Sequence, residues 1–451
     1  MERTDADVIV IGAGAAGLAA ARFLASRSAR VLVLEARDRI GGRVWWRPLP
    51  DAASPVELGA EFIHGKAPHT TALLREAGLR SIAADGDSWR SAGGHLHHEP
   101  ETFTRNASIF DAARSLARDE SVERYLQRFD DDGKQREQAR VARYFVEGFD
   151  AADPAIASAK SIAAEWRSGV DSTISRPLGS YQPMFQHLAR ACAAAGVRVS
   201  LSTMVRHISW QPGIVSIDAR LDDTESRRFR ARAAVVTVPV GVLRYRGDDE
   251  QLSFEPELPS AKVAALASIE MGHVVRVVLS FDTAFWEHVN EGRYRDAHFF
   301  RSDSQPFPGF WTQVPQRERF VVAWAGGPKA IALRGVSPTE LVELARNEFG
   351  DLFGQRALAR ERFAGAVFHD WARDPHARGA YSYIAVGGGG AREMLAEPVD
   401  GTLFFAGEAT ARHGEGGTVN GALESGERAA AQAAAALGID LRPTEERNLN
   451  G

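Results

Sequence analysis

The chain has 451 residues, enough for two domains or for one elaborated α/β domain with a large core. Hydrophobic residues make up 44% and charged residues 25%, and the net charge of −5 argues against a nucleic-acid or anionic-membrane partner. With Cys192 as the one cysteine there is no disulfide framework or thiolate metal site, no apolar run is long enough to cross a bilayer, and "MERTDAD" lacks the features of a secretion signal, so a cytoplasmic setting is expected.

In chain order, "DVIVIG" reads as a short buried strand, "AAGLAAARFLASR" as a helix with an apolar stripe, and "ARVLVLEA" as a second strand, a βαβ start. Residues from about 65 to 180 are more polar, and "DAARSLARDESVERYLQRF" and "REQARVARYFVEGF" predict a helical insertion. Within it, His95, His97 and His98 of "HLHH" follow "SAGG" with no acidic or cysteine ligand nearby, which predicts a surface hairpin rather than a metal site. Strands return from about 197 in "VRVSLST", "VRHISW", "IVSIDARL" and "AAVVTVPVGVL". Two long strands, "MGHVVRVVLSFDTA" and "RFVVAWAGG", precede a helix near "SPTELVELARNEFGDLFG". A strand in "TLFFAGE" and a helix from about 418 to 437 close the chain. The return of βαβ-like elements at both ends predicts an α/β fold whose cofactor domain is built from separated segments, with substrate elements inserted between them.

"VIVIGAGAAGLAAARFL" sets Gly12, Gly14 and Gly17 as G-x-G-x-x-G between a strand and a helix. Gly12 permits the turn, Gly14 lets a pyrophosphate approach the backbone, and Gly17 allows close helix-strand packing, while Ala15 and Ala16 open the helix whose N-terminus faces the phosphates. Glu35, followed by Ala36 and Arg37, stands where an acid accepts hydrogen bonds from an adenosine ribose. An acid there repels a 2′-phosphate and favours FAD or NAD over NADP.

"EARDRIGGRVWW" adds Gly41, Gly42 and Arg43 directly after that acid, an arrangement that resembles the extended fingerprint of the flavin amine oxidase superfamily. The resemblance continues in order through "VELGAEFIHG", "LGSYQPM", "AAVVTVPVGVL", "RVVLSFDTAFW", "WARDPHARGAYSY" and "FFAGEATARHGEGGTVNGALESGERAA", nearly the whole chain. It implies a Rossmann-like FAD-binding domain of the GR2 flavoprotein type from residues 1–75, 180–250 and 395–440. Residues 76–179 and 251–394 would form an inserted α+β substrate domain with a mixed sheet and a helical subdomain, and 441–451 a C-terminal tail. It further implies FAD contacts from Gly42 and Arg43, from the loop Gly59, Ala60, Glu61 and Phe62, and from Val205, Pro239, Trp371, Gly407, Glu408, Thr418 and Val419. The position that carries the covalent cysteine in monoamine oxidases is Ala380 here, so FAD is expected to be non-covalent.

The family's members pass a hydride equivalent from the carbon beside a neutral amine to flavin N5, hydrolyse the imine, and usually reoxidise the flavin with O2 to give H2O2. By that likeness Tyr381 is one wall of an aromatic cage before the ring, Thr418 replaces the opposite tyrosine, and His64 falls at a substrate-contacting position. The half-open cage is most similar to polyamine oxidases and lysine-specific demethylases. No arginine follows the "LG" loop to clamp a carboxylate, which disfavours a simple amino acid, and the approach "LPSAKVAALASIEMGHVV" is too short for the demethylases' coiled-coil insertion. The departure is Arg276, a permanent cation inside an apolar strand, where the family almost always has a lysine that holds a water against N5. Two readings stay open for it: an ion pair with a neighbouring carboxylate, or a residue that slows or redirects the oxygen step. Three functions follow: a small-molecule amine oxidase that uses O2, a dehydrogenase or desaturase of the same superfamily that reacts poorly with O2, and a flavoprotein with structural FAD that binds a partner.

Overall fold

The computed structural model describes residues 4–49, 52, 55–99, 107–133, 135–169, 173–222, 224–247, 250–302 and 305–442. Of the expected tail at 441–451, residues 443–451 lie outside the described residues.

A five-stranded parallel sheet is assembled from distant parts of the chain. Its spatial order is Arg198–Ser200, Val31–Leu34, Val8–Ile11, Ala233–Val236 and Leu403–Phe405. A parallel sheet covered on both faces requires apolar runs rather than alternation, and the three inner strands are apolar and buried throughout. Val8, Val10, Val33 and Val235 face a layer containing Leu18, Leu188 and Leu423, from the helices Ala15–Ala25, Gln182–Ala194 and Val419–Leu437. Ile9, Ile11, Leu34 and Val236 face Ile208, Val215, Ile217 and Phe229 of a second, four-stranded sheet, ordered Glu225–Ala231, Ile214–Leu221, Thr203–Gln211 and Ser253–Glu255.

A seven-stranded sheet runs Phe363–Asp370, Val274–Phe281, Phe320–Gly326, Gly309–Trp311, Ala297–Ser302, Asp87–Ala92 and His95–His98. Val274–Phe281 is an inner strand, antiparallel to both neighbours and buried at all its positions. Behind it lies the helix Pro338–Asp351, started by a capping box in which Ser337 and Glu340 satisfy each other's backbone N–H groups.

Two expectations for residues 65–180 need correction. "HLHH" does form a hairpin, turning at Gly93 and Gly94 with positive φ, but it is not an appendage of a helical insertion. Asp87–Ala92 pairs in parallel with Ala297–Ser302 because Trp89 buries its ring beside Tyr294, so this hairpin forms the edge of the seven-stranded sheet. The helical stretch expected over "DAARSLARDESVERYLQRF" is divided into a 3-10 turn at Ser108–Ser115 and a helix at Val122–Leu126. Leu116 leaves helical geometry, and Ser121 caps the second piece by accepting the Arg124 N–H at 3.2 Å. Gln135–Gly148 is helical as its periodicity predicts.

Candidate functional site

The carboxyl ends of the parallel strands open onto a cavity of about 620 Å³ that continues to the seven-stranded sheet and the end of the helix Gln135–Gly148. Open α/β sheets bind their ligands at this end. Every residue singled out above for cofactor, substrate or catalysis lines it except Gly17. A Cβ at Gly17 would overlap the Gly12 carbonyl oxygen, so that glycine serves helix-strand packing.

At the dinucleotide end, Gly12 holds φ at +107°, and a Cβ there would stand 2.6 Å from the Thr237 hydroxyl. A Cβ at Gly14 would find its nearest atoms 3.9 Å away, which leaves this backbone face open beside Ala15 and Ala16. Glu35 is 6% exposed, and its carboxylate accepts the N–H groups of Ala13 at 2.6 Å and Arg37 at 2.9 Å. Glu35 and Ala36 line the cavity, and with one N–H on each oxygen the carboxylate keeps acceptor capacity for a ribose. Arg43 donates to Glu408 Oε1 at 2.7 Å and to the Ala380 carbonyl at 2.9 Å. Glu408 Oε2 accepts the Ser382 hydroxyl at 2.6 Å and the Gly417 N–H at 3.1 Å. Although burial opposes its charge, Arg43, Arg392 and Ser382 hold the Glu408 carboxyl below the usual range. Val205, Pro239 and Gly407 line this end too, together with Thr237 and Val238, which sit in "AAVVTVPVGVL" without having been singled out, and Leu252, which no motif marked.

The middle of the cavity is set by glycines and caps. A Cβ at Gly59 would overlap the Arg43 carbonyl and stand 3.1 Å from the Trp371 ring, so the loop Gly59–Phe62 passes close under that indole. The Trp371 indole donates to the Leu58 carbonyl at 2.9 Å. Thr418 is the N-cap of the helix Val419–Leu437, accepting the Gly421 N–H at 2.9 Å, and the helix N-terminus with Val419 opens on the cavity. Gly417 packs against the Tyr381 ring, whose hydroxyl donates to the Phe149 carbonyl. His64 packs edge-on against Phe149 at 5.3 Å, and burial pulls its pKa down to about 4, so it is neutral at pH 7.

The puzzle of Arg276 has a structural answer. The side chain is 2% exposed and bonded to the loop Gly59–Phe62: Nη1 donates to the Gly59 carbonyl at 2.9 Å, and Nη2 pairs with Glu61. Glu61 also accepts from the Trp311 indole at 3.0 Å and the Gln313 amide at 3.0 Å, with Arg176 3.6 Å away. Burial alone would raise the Glu61 carboxyl, but Arg276 and Arg176 hold it below the usual range. The ion-pair reading therefore holds, and the partner is the loop expected to run along the flavin. Arg276 Nε is buried with no protein acceptor among the described residues.

The far end of the cavity was not legible in the motifs. Tyr144, Phe145 and Phe149 reach it from the helical segment, and Phe299, Trp311 and Trp324 from the seven-stranded sheet. Their one signal is aromatic density in "ARYFVEGF", "HFFRS", "GFWTQ" and "FVVAWAGG", which core packing produces equally well.

FAD fits the cavity on three observations: the open Gly14 backbone, the partly satisfied buried carboxylate of Glu35, and the orphaned Nε of Arg276 beside the Gly59 loop. Solved structures of the same fold include a cyclohexylamine oxidase from Brevibacterium oxydans IH-35A, with a TM-score of 0.79 at 22% identity over 96% of this chain and 100% of that one. A putrescine oxidase bound to putrescine matches with a TM-score of 0.77 at 23% identity over 95% and 99% of the two chains. Among sequences, polyamine oxidase 4 of Oryza sativa subsp. japonica is 29% identical over 94% of this chain and 87% of its own length. Lysine-specific histone demethylase 1 homolog 2 of the same plant is 29% identical over 96% of this chain. The chain spans only 57% of that demethylase's length. The profile described as "Flavin containing amine oxidoreductase" matches residues 15–434, and with the cavity geometry it places this chain in the family of flavin-containing amine oxidoreductases, with FAD as its cofactor.

Proposed function

We propose that the protein oxidises the carbon-nitrogen bond of a primary or secondary amine and passes the electrons on to dioxygen. The observation that carries this reading is the continuity of one cavity from the glycine-rich dinucleotide cradle to an aromatic chamber, with Tyr381 and Gly417 at the junction. When bound, FAD supplies a two-electron acceptor for the hydride leaving the carbon beside nitrogen. Gly12, Gly14, Glu35 and Arg37 would hold its adenosine and pyrophosphate, and Gly59–Phe62, Trp371 and Thr418 its ring. Tyr381, pinned through its hydroxyl to Phe149, presents a fixed ring face to orient the substrate nitrogen. His64, neutral at working pH, contacts substrate without adding charge. The helix Val419–Leu437 points its positive end into the cavity, where it favours negative charge on a reduced ring.

The same reading divides the chain into a cofactor domain of residues 1–75, 180–250 and 395–440 and a substrate domain of 76–179 and 251–394. It also keeps FAD non-covalent: Ala380 offers no thiol, and Cys192 is buried, with its thiol directed at the Leu18 carbonyl away from the cavity. A second reading, a flavin dehydrogenase with a slow oxygen step, is favoured by the Arg276–Glu61 pair, which ties up a cation where the family carries a lysine.

Mixing the holoprotein with amines in the absence of oxygen tests both readings. Loss of flavin absorbance with an amine supports amine oxidation, and admission of air then separates a fast oxidase from a sluggish dehydrogenase. A flavin that no amine bleaches would sink both.

A further inference from the structure

The chamber beyond Tyr381 is walled by Phe62, Phe149, Phe299, Trp311 and Trp324, with ring centroids of neighbouring pairs within about 6 Å, as for Phe62–Trp311 at 5.6 Å and Trp311–Trp324 at 5.6 Å. Its carboxylates are already engaged. Glu61 is paired with Arg276, Glu165 with Arg392 at 3.2 Å, and Asp150 accepts the Trp166 indole N–H at 3.0 Å. Elsewhere in the cavity Glu250 is bound by Arg378 at 2.6 Å and Glu408 by Arg43.

The protein's own cations already sit against these rings. The Arg276 guanidinium lies 5.3 Å from the Trp311 ring centre, Arg176 lies 5.1 Å from Phe62, and Arg301, paired with Glu99, lies 5.4 Å from both Tyr144 and Phe145. Rings polarised by a guanidinium on one side are poor hosts for another cation. Behind the loop Gly59–Phe62, two guanidinium groups meet the Glu61 carboxylate, while burial keeps Glu57 protonated, pushed up to about 8, and His298 neutral, pulled down to about 3. That cluster carries a net positive charge against the chamber wall.

We propose that the chamber takes the hydrocarbon body of a hydrophobic monoamine, cyclic, aryl-alkyl or linear, and rejects an amine with a second cationic centre. This inference rests on the amine-oxidising reading and narrows its substrate class away from polyamines. A second ammonium would be desolvated against aromatic walls without a carboxylate that is not already bound elsewhere.

The test is a matched pair of equal heavy-atom count, pentan-1-amine and butane-1,4-diamine, run beside benzylamine and cyclohexylamine. Anaerobic bleaching of the holoprotein is followed at equal concentrations of neutral amine. The monoamine is expected to reduce the flavin with a second-order rate constant about 100-fold above that of the diamine. Arg301→Met, which removes the guanidinium stacked on Tyr144 and Phe145 while Arg90 stays 3.9 Å from Glu99, should narrow that ratio about tenfold while pentan-1-amine still bleaches the flavin. A diamine as good as or better than its monoamine partner overturns the proposal, and loss of that diamine activity in Asp150→Asn would name the group that admits it. An arginine variant with an unchanged ratio removes the proposed role of the ring-stacked cations. A panel inert throughout overturns the amine-oxidising reading and this inference with it.

Discussion

Arg276 and Glu61 bind one another across the loop Gly59–Phe62, so each substitution at this pair separates a structural effect from a catalytic one. Arg276→Met would leave Glu61 buried with Arg176 as its nearest cation and should cost about 3–5 kcal/mol in denaturant unfolding. Arg276→Lys keeps the charge but exchanges a planar fork for a point donor. Stopped-flow reoxidation by air should then speed up about tenfold, with the amine-dependent bleaching rate changed less. Equal rates in both half-reactions would remove Arg276 from the chemistry. Glu57 offers an independent reading of the same buried region. One carboxyl oxygen accepts the Tyr181 N–H at 2.7 Å, the other is buried with no donor among the described residues, and burial pushes the pKa from 4.5 up to about 8. Below 4.5 both folded and unfolded states are protonated. Between 4.5 and about 8 the unfolded chain releases the proton and the folded chain keeps it, so stability falls as pH rises. Glu57→Gln retains an oxygen for Tyr181 and removes this titration. Its unfolding free energy should gain on the wild type by roughly 3 kcal/mol on going from pH 5 to pH 8, and parallel pH profiles for the two proteins would show that Glu57 is ionised when folded.

Helices that carry their own stop and start signals were the legible elements. The C-terminal helix begins at an N-capping threonine, Thr418, and ends where Gly438 turns left-handed at φ +71°, both visible in the residues alone. Pro338–Asp351 announces itself by Ser337 and Glu340 in the same way. Asp87–Ala92 does not, because its place is decided by Trp89 meeting Tyr294 more than two hundred residues later, a contact no local pattern encodes. What holds the cofactor-side helices together is likewise tertiary. A Cβ at Gly426 would overlap the carbonyl oxygen of Ala16, so the helices Ala15–Ala25 and Val419–Leu437 touch backbone to backbone. Gly426→Ala should part them, at a cost of about 1–3 kcal/mol. Because Ala16 and Val419 both line the cavity, the variant should also lose FAD faster on gel filtration. A variant of unchanged stability and unchanged flavin content would mean that the two helices have room to shift.

For the molecule as a whole, the dinucleotide half of the site could be read from sequence because its residues sit in short contiguous motifs: a strand, a glycine turn, a helix and an acid. The rest of the aromatic half could not, since Phe149, Phe299, Trp311 and Trp324 converge with Phe62 only after separate stretches of chain fold onto one another. The same convergence has an energetic consequence. The cavity is lined from Ile11 to Ala422, and the five-stranded sheet beside it takes its strands from residues 8–11, 31–34, 198–200, 233–236 and 403–405. A ligand filling that cavity braces segments from both ends of the chain at once, so it should stabilise the fold as one unit. Free FAD at 100 times its Kd contributes about 2.7 kcal/mol by mass action. Spread over the unfolding entropy of a chain this long, that is a rise of about 3 °C in Tm. Scanning calorimetry across a range of free FAD concentrations should show one transition moving upward by that amount. Two transitions, with only the first responding to FAD, would instead show that the seven-stranded sheet and the helical segment around Trp166 unfold on their own, and that the aromatic chamber can open without release of the cofactor.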